Sequence, residues 1–555
     1  MKKIVQLCWS SSLYRTVFFI LLTLFIVLSY GYYFGTFDQA SHIPYLKKTI
    51  DPSLFPHDHF FDLRNTHFSY FWLLFIPFYK GGCLEPTMFI IHILSIYLTF
   101  WAIWKLSKTL FNNPLTSFLA VMVSALPHIG FSGFPLFEFS MLNRTVTLPF
   151  ELIALNYYLK KNYAATFIIL GVLYNFHALS VHFVLAMIGM DMLISLLQRK
   201  NMYAFLYIPL FLICALPVLI WKFGHSGVPI TIHWEWFNLL NVSTFFHLFN
   251  FISISKPVVT LLTAGGVSSL ILFFIAKKQI AKNDTHEVVA HFMYGGILVL
   301  LVQFFATLFF PITIIVQGQI IRIGTFLTLF AYLYMSHMIR TRSKSKDHFV
   351  CFLLALLLSF SPLFLLISLL FWRIKKRNVL RIVTASVISL FMIILIALFS
   401  LNLAHPGIHI WPEKTPFYDV QVWAKNNTPK EELFITPPSK WWLYDVEWRV
   451  VSERSTISTL SELLEAAFDP SYIQYWKPRF EDVAPHALNK FNGDYFKNME
   501  ITNDAYYSNN TKQFLALGKK YNASYLVSDK KHRYSLPVLY ENKEYVVYSL
   551  TYRAH

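Results

Sequence analysis

The chain has 555 residues, 55% of them hydrophobic and only 14% charged, against about 25% charged in an ordinary soluble protein. This excludes a soluble globular protein and implies a polytopic membrane protein. The net charge of +17 does not mark a nucleic-acid partner, because residues 405–555 carry 18 basic and 18 acidic side chains and the whole excess lies in 1–404.

Within 1–404 the basic residues fall in short clusters between apolar runs: Lys2/Lys3/Arg15, Lys105/Lys108, Lys160/Lys161, Arg199/Lys200, Lys277/Lys278/Lys282, Arg340/Arg342/Lys344/Lys346 and Arg373 to Arg381. Clusters at alternate ends of spans are the positive-inside signature. A span needs about 20 apolar residues. In chain order the runs are 16–34, 86–104, 115–132, 145–159, 163–177 and 178–197 (a tight outer hairpin), 202–222, 257–276, 288–310 and 319–339. The stretch 348–372 has basic clusters at both ends and Pro362 in its middle, so a short hairpin is expected there. A last span follows at 380–401. Thirteen crossings put the N-terminus in the cytoplasm and the C-terminal domain outside it, in the periplasm of a two-membrane envelope.

The expected division is therefore a transmembrane helical domain, 1–404, with a long first outer loop at 35–85, and an extracytoplasmic α/β domain, 405–555. In the loop, 67–79 reads as an amphipathic or half-inserted segment. A second outer loop, 223–256, carries His233-Trp234-Glu235-Trp236 and is expected at the interface. In the outer domain the pattern predicts a helix at 417–426, a strand at Leu433–Thr436, a second strand at Val450-Val451, a helix at 457–468 capped by Ser458, a helix at 511–521, a strand at Tyr525–Ser528 and a hairpin at 537–549. Cys8, Cys83, Cys214 and Cys351 are far apart. They suggest neither a disulfide framework nor a metal site.

Chemistry-bearing residues concentrate at the outer ends of the spans. After span one come Asp38, His42, Asp51, His57-Asp58-His59, Asp62 and Arg64. Asp38, held at the rigid end of a helix, suits a general base or a ligand for a divalent cation such as Mg or Mn, with Asp58 a second candidate ligand. The plainer account is a solvated loop. Glu138 and Arg144 flank the outer start of span four, where a guanidinium beside a helix N-terminus suits a phosphate. Arg322 lies about one turn inside span ten, after Gln317-Gly318-Gln319, and a charge inside an apolar span usually faces a cavity. His42, Asp58, Glu138, Arg144, His177 and Arg322 are the candidate substrate contacts. Glu151 lies two turns below Arg144 on a similar face, as in a structural ion pair or hydrogen bond, and Asp191 has no assigned role.

This arrangement resembles the GT-C superfamily of membrane glycosyltransferases. The resemblance rests on a first span that ends in an acidic loop (Phe37-Asp38-Gln39), amphipathic helices in that loop, many spans and an outer C-terminal domain. Trp423-Ala424-Lys425-Asn426-Asn427-Thr428-Pro429, Leu433 to Pro438 and Lys520 to Val527 resemble the outer domains of uncharacterised bacterial members. It implies transfer of a sugar from a polyprenyl-phosphate donor at the outer membrane face, with Asp38 matching the family's early catalytic or metal-binding carboxylate. Two departures stand out. Lys440-Trp441-Trp442-Leu443 lacks the Asp of the oligosaccharyltransferase Trp-Trp-Asp signature, and Gln39 replaces the Glu of the Asp-Glu pair in protein mannosyltransferases. A lipid or glycan acceptor is therefore expected rather than a peptide. The alternatives are a non-enzymatic GT-C-like protein in lipid or glycan carriage or envelope assembly, or a transporter.

Overall fold

A computed structural model describes residues 2–36, 38–125, 136–199, 202–225, 230–243, 256–342, 351, 354–358, 361–371, 386, 389, 393, 407–440 and 445–551. Among them, six helical stretches are long and apolar enough to cross a membrane: Ser12–Tyr30, Leu84–Phe111, Tyr163–Leu197, Tyr203–Gly224, Asp284–Phe309 and Thr313–Thr341. Shorter apolar helices include Pro114–Ser124 and Thr263–Lys277. The expected span 380–401 lies almost entirely outside the described residues. So does much of the hairpin at 348–372, of which Pro362–Phe371 is helical.

Tyr163–Leu197 is not one rod. A straight helix would put Tyr163 and Asp191 about 42 Å apart, yet both meet Tyr158: its ring lies 5.1 Å from that of Tyr163, and its hydroxyl donates to Asp191 at 2.7 Å. The chain doubles back at His177, whose backbone is extended (φ −152°, ψ 79°), and Tyr174 Oη sits 2.9 Å from His182 Nε2 across the turn. The predicted hairpin thus forms where the two histidines flank it. Asp191, buried, also holds His291 Nδ1 at 2.7 Å. It therefore joins three elements (the helix Asn143–Leu159, the hairpin and the helix Asp284–Phe309), which supplies the structural role missing from the sequence.

Span one ends earlier than its hydropathy suggests, at Tyr30, where Gly31 takes φ +81°. A Cβ at Gly31 would stand 2.6 Å from the Gly407 carbonyl oxygen. This close approach lets β1 (Tyr32–Tyr33) pair in parallel with β2 (Ile408–His409), tying the end of span one to the start of the C-terminal domain. Neither strand shows in the sequence, because two residues carry no periodicity.

The C-terminal domain is built on a five-stranded sheet of order β4-β3-β5-β7-β6: β3 is Leu433–Ile435, β4 Ser455–Thr456, β5 Tyr525–Asp529, β6 Val538–Glu541 and β7 Tyr545–Ser549. The first three strands are parallel, and β7 and β6 close the sheet as an antiparallel hairpin. Helices Pro416–Asn427 and Thr511–Tyr521 stand where the pattern placed them. Val450-Val451 does not form a strand. It lies in the helix Trp448–Ser452, whose Glu447 side chain accepts from Arg449 N, because Val450 is needed in the apolar contact with Phe34 and Ile43 of the first loop. The helix expected at 457–468 shortens to Glu462–Glu465 and a 3-10 turn, with Ser461 rather than Ser458 before it.

The domain is clamped onto the first loop. Arg449, 1% exposed, donates to Asp58 at 2.6 Å, Glu447 at 2.7 Å and Glu462 at 2.7 Å. Lys47 reaches Glu453 at 2.7 Å, and Trp236 Nε1, from the second long loop, donates to the Ala466 carbonyl at 2.9 Å. Burying one cation among three carboxylates is costly unless each is bonded, and here each is.

Candidate functional site

The site is assembled from the first loop outward. The helix Gln39–Ile50 starts directly after Asp38. Gln39, fully buried, accepts from Gly35 N at 2.8 Å and donates to the Met141 carbonyl at 2.7 Å. A Glu at this position would have no N–H for Met141, so the amide is the residue that fastens Asp38 against the segment before Asn143–Leu159. On that helix Arg144 occupies the first turn. A cation there faces the positive end of the helix dipole, and two carboxylates offset this. Glu138 takes Nε at 2.5 Å and Nη2 at 2.6 Å, a bidentate pair, while Asp38 takes Nη1.

Asp38, Arg144, His42, His177 and Arg322 all line one cavity of about 780 Å³, within the usual range for a small-molecule site. The first loop, the hairpin, the segment Ile314–Arg322 and the C-terminal domain all contribute walls. Phe176, Leu179, Phe183, Val299 and Ile320 supply apolar lining. A smaller adjoining pocket brings Glu138 together with Arg144, His177, Arg322 and Glu151. Burial opposes the ionised form of Asp38, but the charge and hydrogen bond of Arg144, with Arg322 farther off, hold its carboxyl well below the usual range. His42 stacks on Trp72 (4.7 Å, 23°), and its burial pushes the imidazole down to about 4.

Asp58 does not join this site. Its carboxylate is spent on Arg449 in the clamp described above. Nor does Glu151 pair with Arg144: it accepts from Ser180 Oγ across the hairpin. These placements bear on a divalent cation. Asp38 and Asp58 serve different partners, both arginines, and no group of three His, Cys, Asp or Glu among the described residues has metal-binding geometry. Asp38 and Asp58 therefore do not form one cation site.

Two lining residues were missed from sequence. Glu465, from the C-terminal domain, meets His67 at 2.5 Å at the cavity wall. Burial disfavours the charge on each, but their mutual attraction raises His67 and lowers Glu465. Nothing local marks Glu465, since its partner lies some 400 residues earlier. Gln319 is 1% exposed, with φ +41°, and neither amide atom has a hydrogen-bond partner among the described residues. A positive φ on a non-glycine residue is strained, and a buried unpaired amide costs about 1–3 kcal/mol. Only the Gln317-Gly318-Gln319 run pointed to it.

No protein-family model and no curated protein matches the chain in sequence. Among solved structures it is similar to the crystal structure of ArnT from Cupriavidus metallidurans bound to undecaprenyl phosphate, with a TM-score of 0.47 and 11% identity over 98% of this chain and 99% of that one.

Proposed function

We propose that this chain is a membrane glycosyltransferase that moves a sugar from a polyprenyl-phosphate donor to a lipid or glycan acceptor at the outer face of the membrane. The observation that carries this reading is convergence. Asp38, Arg144, His177 and Arg322 come from four separate parts of the chain and line one cavity. That cavity has cationic groups and apolar lining, which suits an amphiphile with a phosphate head.

In this reading Arg322 receives the phosphate from the same cavity lining as Arg144, which two carboxylates fix in place. Arg144 stands next to it as the fixed edge of the anion site. Charge-assisted bonds from a guanidinium to phosphate are among the stronger hydrogen bonds. Asp38 keeps Arg144 oriented. The orphaned amide of Gln319 is placed to meet hydroxyl groups of a sugar.

The test is retention of undecaprenyl phosphate by the full chain in lipid nanodiscs, read by native mass spectrometry with phosphatidylglycerol as the anionic control. Wild type should retain the polyprenyl phosphate selectively, and Arg322→Ala should weaken retention at least 10-fold, about 1.4 kcal/mol or more. Equal retention by wild type and R322A removes Arg322 from the anion site.

A further inference from the structure

Glycosyl transfer to a hydroxyl needs an acceptor for the hydroxyl proton, and Asp38 is poorly suited because its carboxylate is bonded to Arg144. The turn of the hairpin offers another group. His177 lines both the main cavity and the adjoining pocket. Its Nδ1 lies 2.6 Å from Ser180 Oγ, which in turn donates to Glu151 Oε1. Glu151 is 1% exposed and Ser180 7%. Among the described residues Nε2 of His177 makes no hydrogen bond, so this nitrogen is left to the cavity. Three residue types able to pass a proton thus stand in one line from a deeply buried carboxylate to the cavity.

We propose that His177 Nε2 takes the proton from the acceptor hydroxyl and that Ser180 relays a proton onward to Glu151. The inference rests on the glycosyltransferase reading above. The acceptor O–H bond breaks as its oxygen bonds to the sugar's anomeric carbon. The bond from that carbon to the donor phosphate oxygen breaks, and the electron pair leaves with the polyprenyl phosphate. The proton joins Nε2, the Nδ1 proton passes to Ser180 Oγ, and the Ser180 hydroxyl proton passes to Glu151. The leaving phosphate gains one negative charge while Glu151 loses one, so charge is conserved. Before transfer Nδ1–H donates to Ser180 Oγ and the Ser180 backbone N–H, 3.3 Å from Nδ1, makes no bond to it; after transfer Nδ1 accepts from both, and no side chain has to move. Neutralising a carboxylate in a dry site also removes the cost of a buried charge. Around His177 the other charged or titratable groups are Arg144, Arg322, Asp38 and His42. His177 is the catalytic residue here. Ser180 and Glu151 act through it as positioning and relay residues.

The experiment compares His177→Gln, Ser180→Ala, Ser180→Thr and Glu151→Gln in cells whose chromosomal copy is deleted. The rate at which modified surface glycan appears after induction is read by mass spectrometry. Undecaprenyl phosphate retention in nanodiscs is measured on the same proteins. H177Q should lower the rate at least about 100-fold, the usual scale for a lost general base, and E151Q and S180A should each lower it at least about 10-fold. S180T, which keeps the hydroxyl, should restore it, and all four proteins should retain the lipid like wild type. A wild-type rate in H177Q overturns the relay, as does lost lipid retention in H177Q, which would make His177 a binding group. Equal rates in S180A and S180T overturn the onward path. If instead wild type retains no polyprenyl phosphate, or deletion leaves the glycan unchanged, the underlying glycosyltransferase reading falls.

Discussion

At the scale of single residues, Arg144 shows how the site is held together. Its guanidinium is shared between Glu138 and Asp38, so its removal leaves Glu138, which is partly buried, without either bond. Breaking a buried pair from one side typically costs about 3–5 kcal/mol. Arg144→Gln should therefore lower stability by roughly 3 kcal/mol, measured by denaturant unfolding in detergent. The double variant R144Q/E138Q should recover most of the loss. Losses that simply add would mean the pair contributes nothing as a unit. Asp38, Arg144 and Arg322 were legible in the sequence because charged residues at the ends of apolar runs are costly and so stand out. Glu465 was not, and Gln319 showed only as a member of the Gln317-Gly318-Gln319 run. The first gains its meaning only from His67, and the second only from being buried with its amide unpaired.

At the scale of elements, hydrophobic runs and basic clusters located the helices, and the hairpin at His177 followed from two apolar runs without a polar loop between them. The same reasoning failed where tertiary contact overrides local preference. Val450-Val451 has the β-branched look of a strand, yet Val446 and Val450 pack against Gly35 in the first loop, where a Cβ would stand 3.0 Å and 3.2 Å from their methyl groups. Val446 lies just before the helix Trp448–Ser452 and Val450 within it; in a strand the two would stand about 13 Å apart, too far for both to touch one residue. The helices Tyr472–Val483 and Tyr495–Tyr507 went unread for a different reason. Their apolar residues alternate with charged ones because one face packs within the C-terminal domain and the other meets solvent.

At the scale of the whole molecule, the C-terminal domain is part of the cavity wall rather than an appendage, since it supplies Leu464, Glu465 and Phe468 to the lining. The contacts that seat it depend on pH. Burial pushes Glu447 up to about 7, although the Arg449 charge opposes the rise, and the ion pair with Glu465 raises His67 against its own burial. Both groups bind protons more tightly in the folded state. Their contribution is therefore complete below their unfolded values and is lost as pH rises through the folded ones. Between pH 5 and pH 8 the melting temperature of the full chain should fall relative to that of Glu447→Gln, since buried His42, which acts in the opposite direction, is common to both proteins. Parallel profiles for the two proteins would contradict this seating.

The central claim is that a polyprenyl phosphate head sits in this cavity against Arg322. The most direct measurement is a cryo-electron microscopy map of the full chain in nanodiscs containing undecaprenyl phosphate. The account predicts phosphate density within hydrogen-bond distance of the Arg322 guanidinium, with the isoprenoid chain along Phe176, Leu179 and Phe183. A lipid head group bound elsewhere on the protein, with Arg322 untouched, would contradict it.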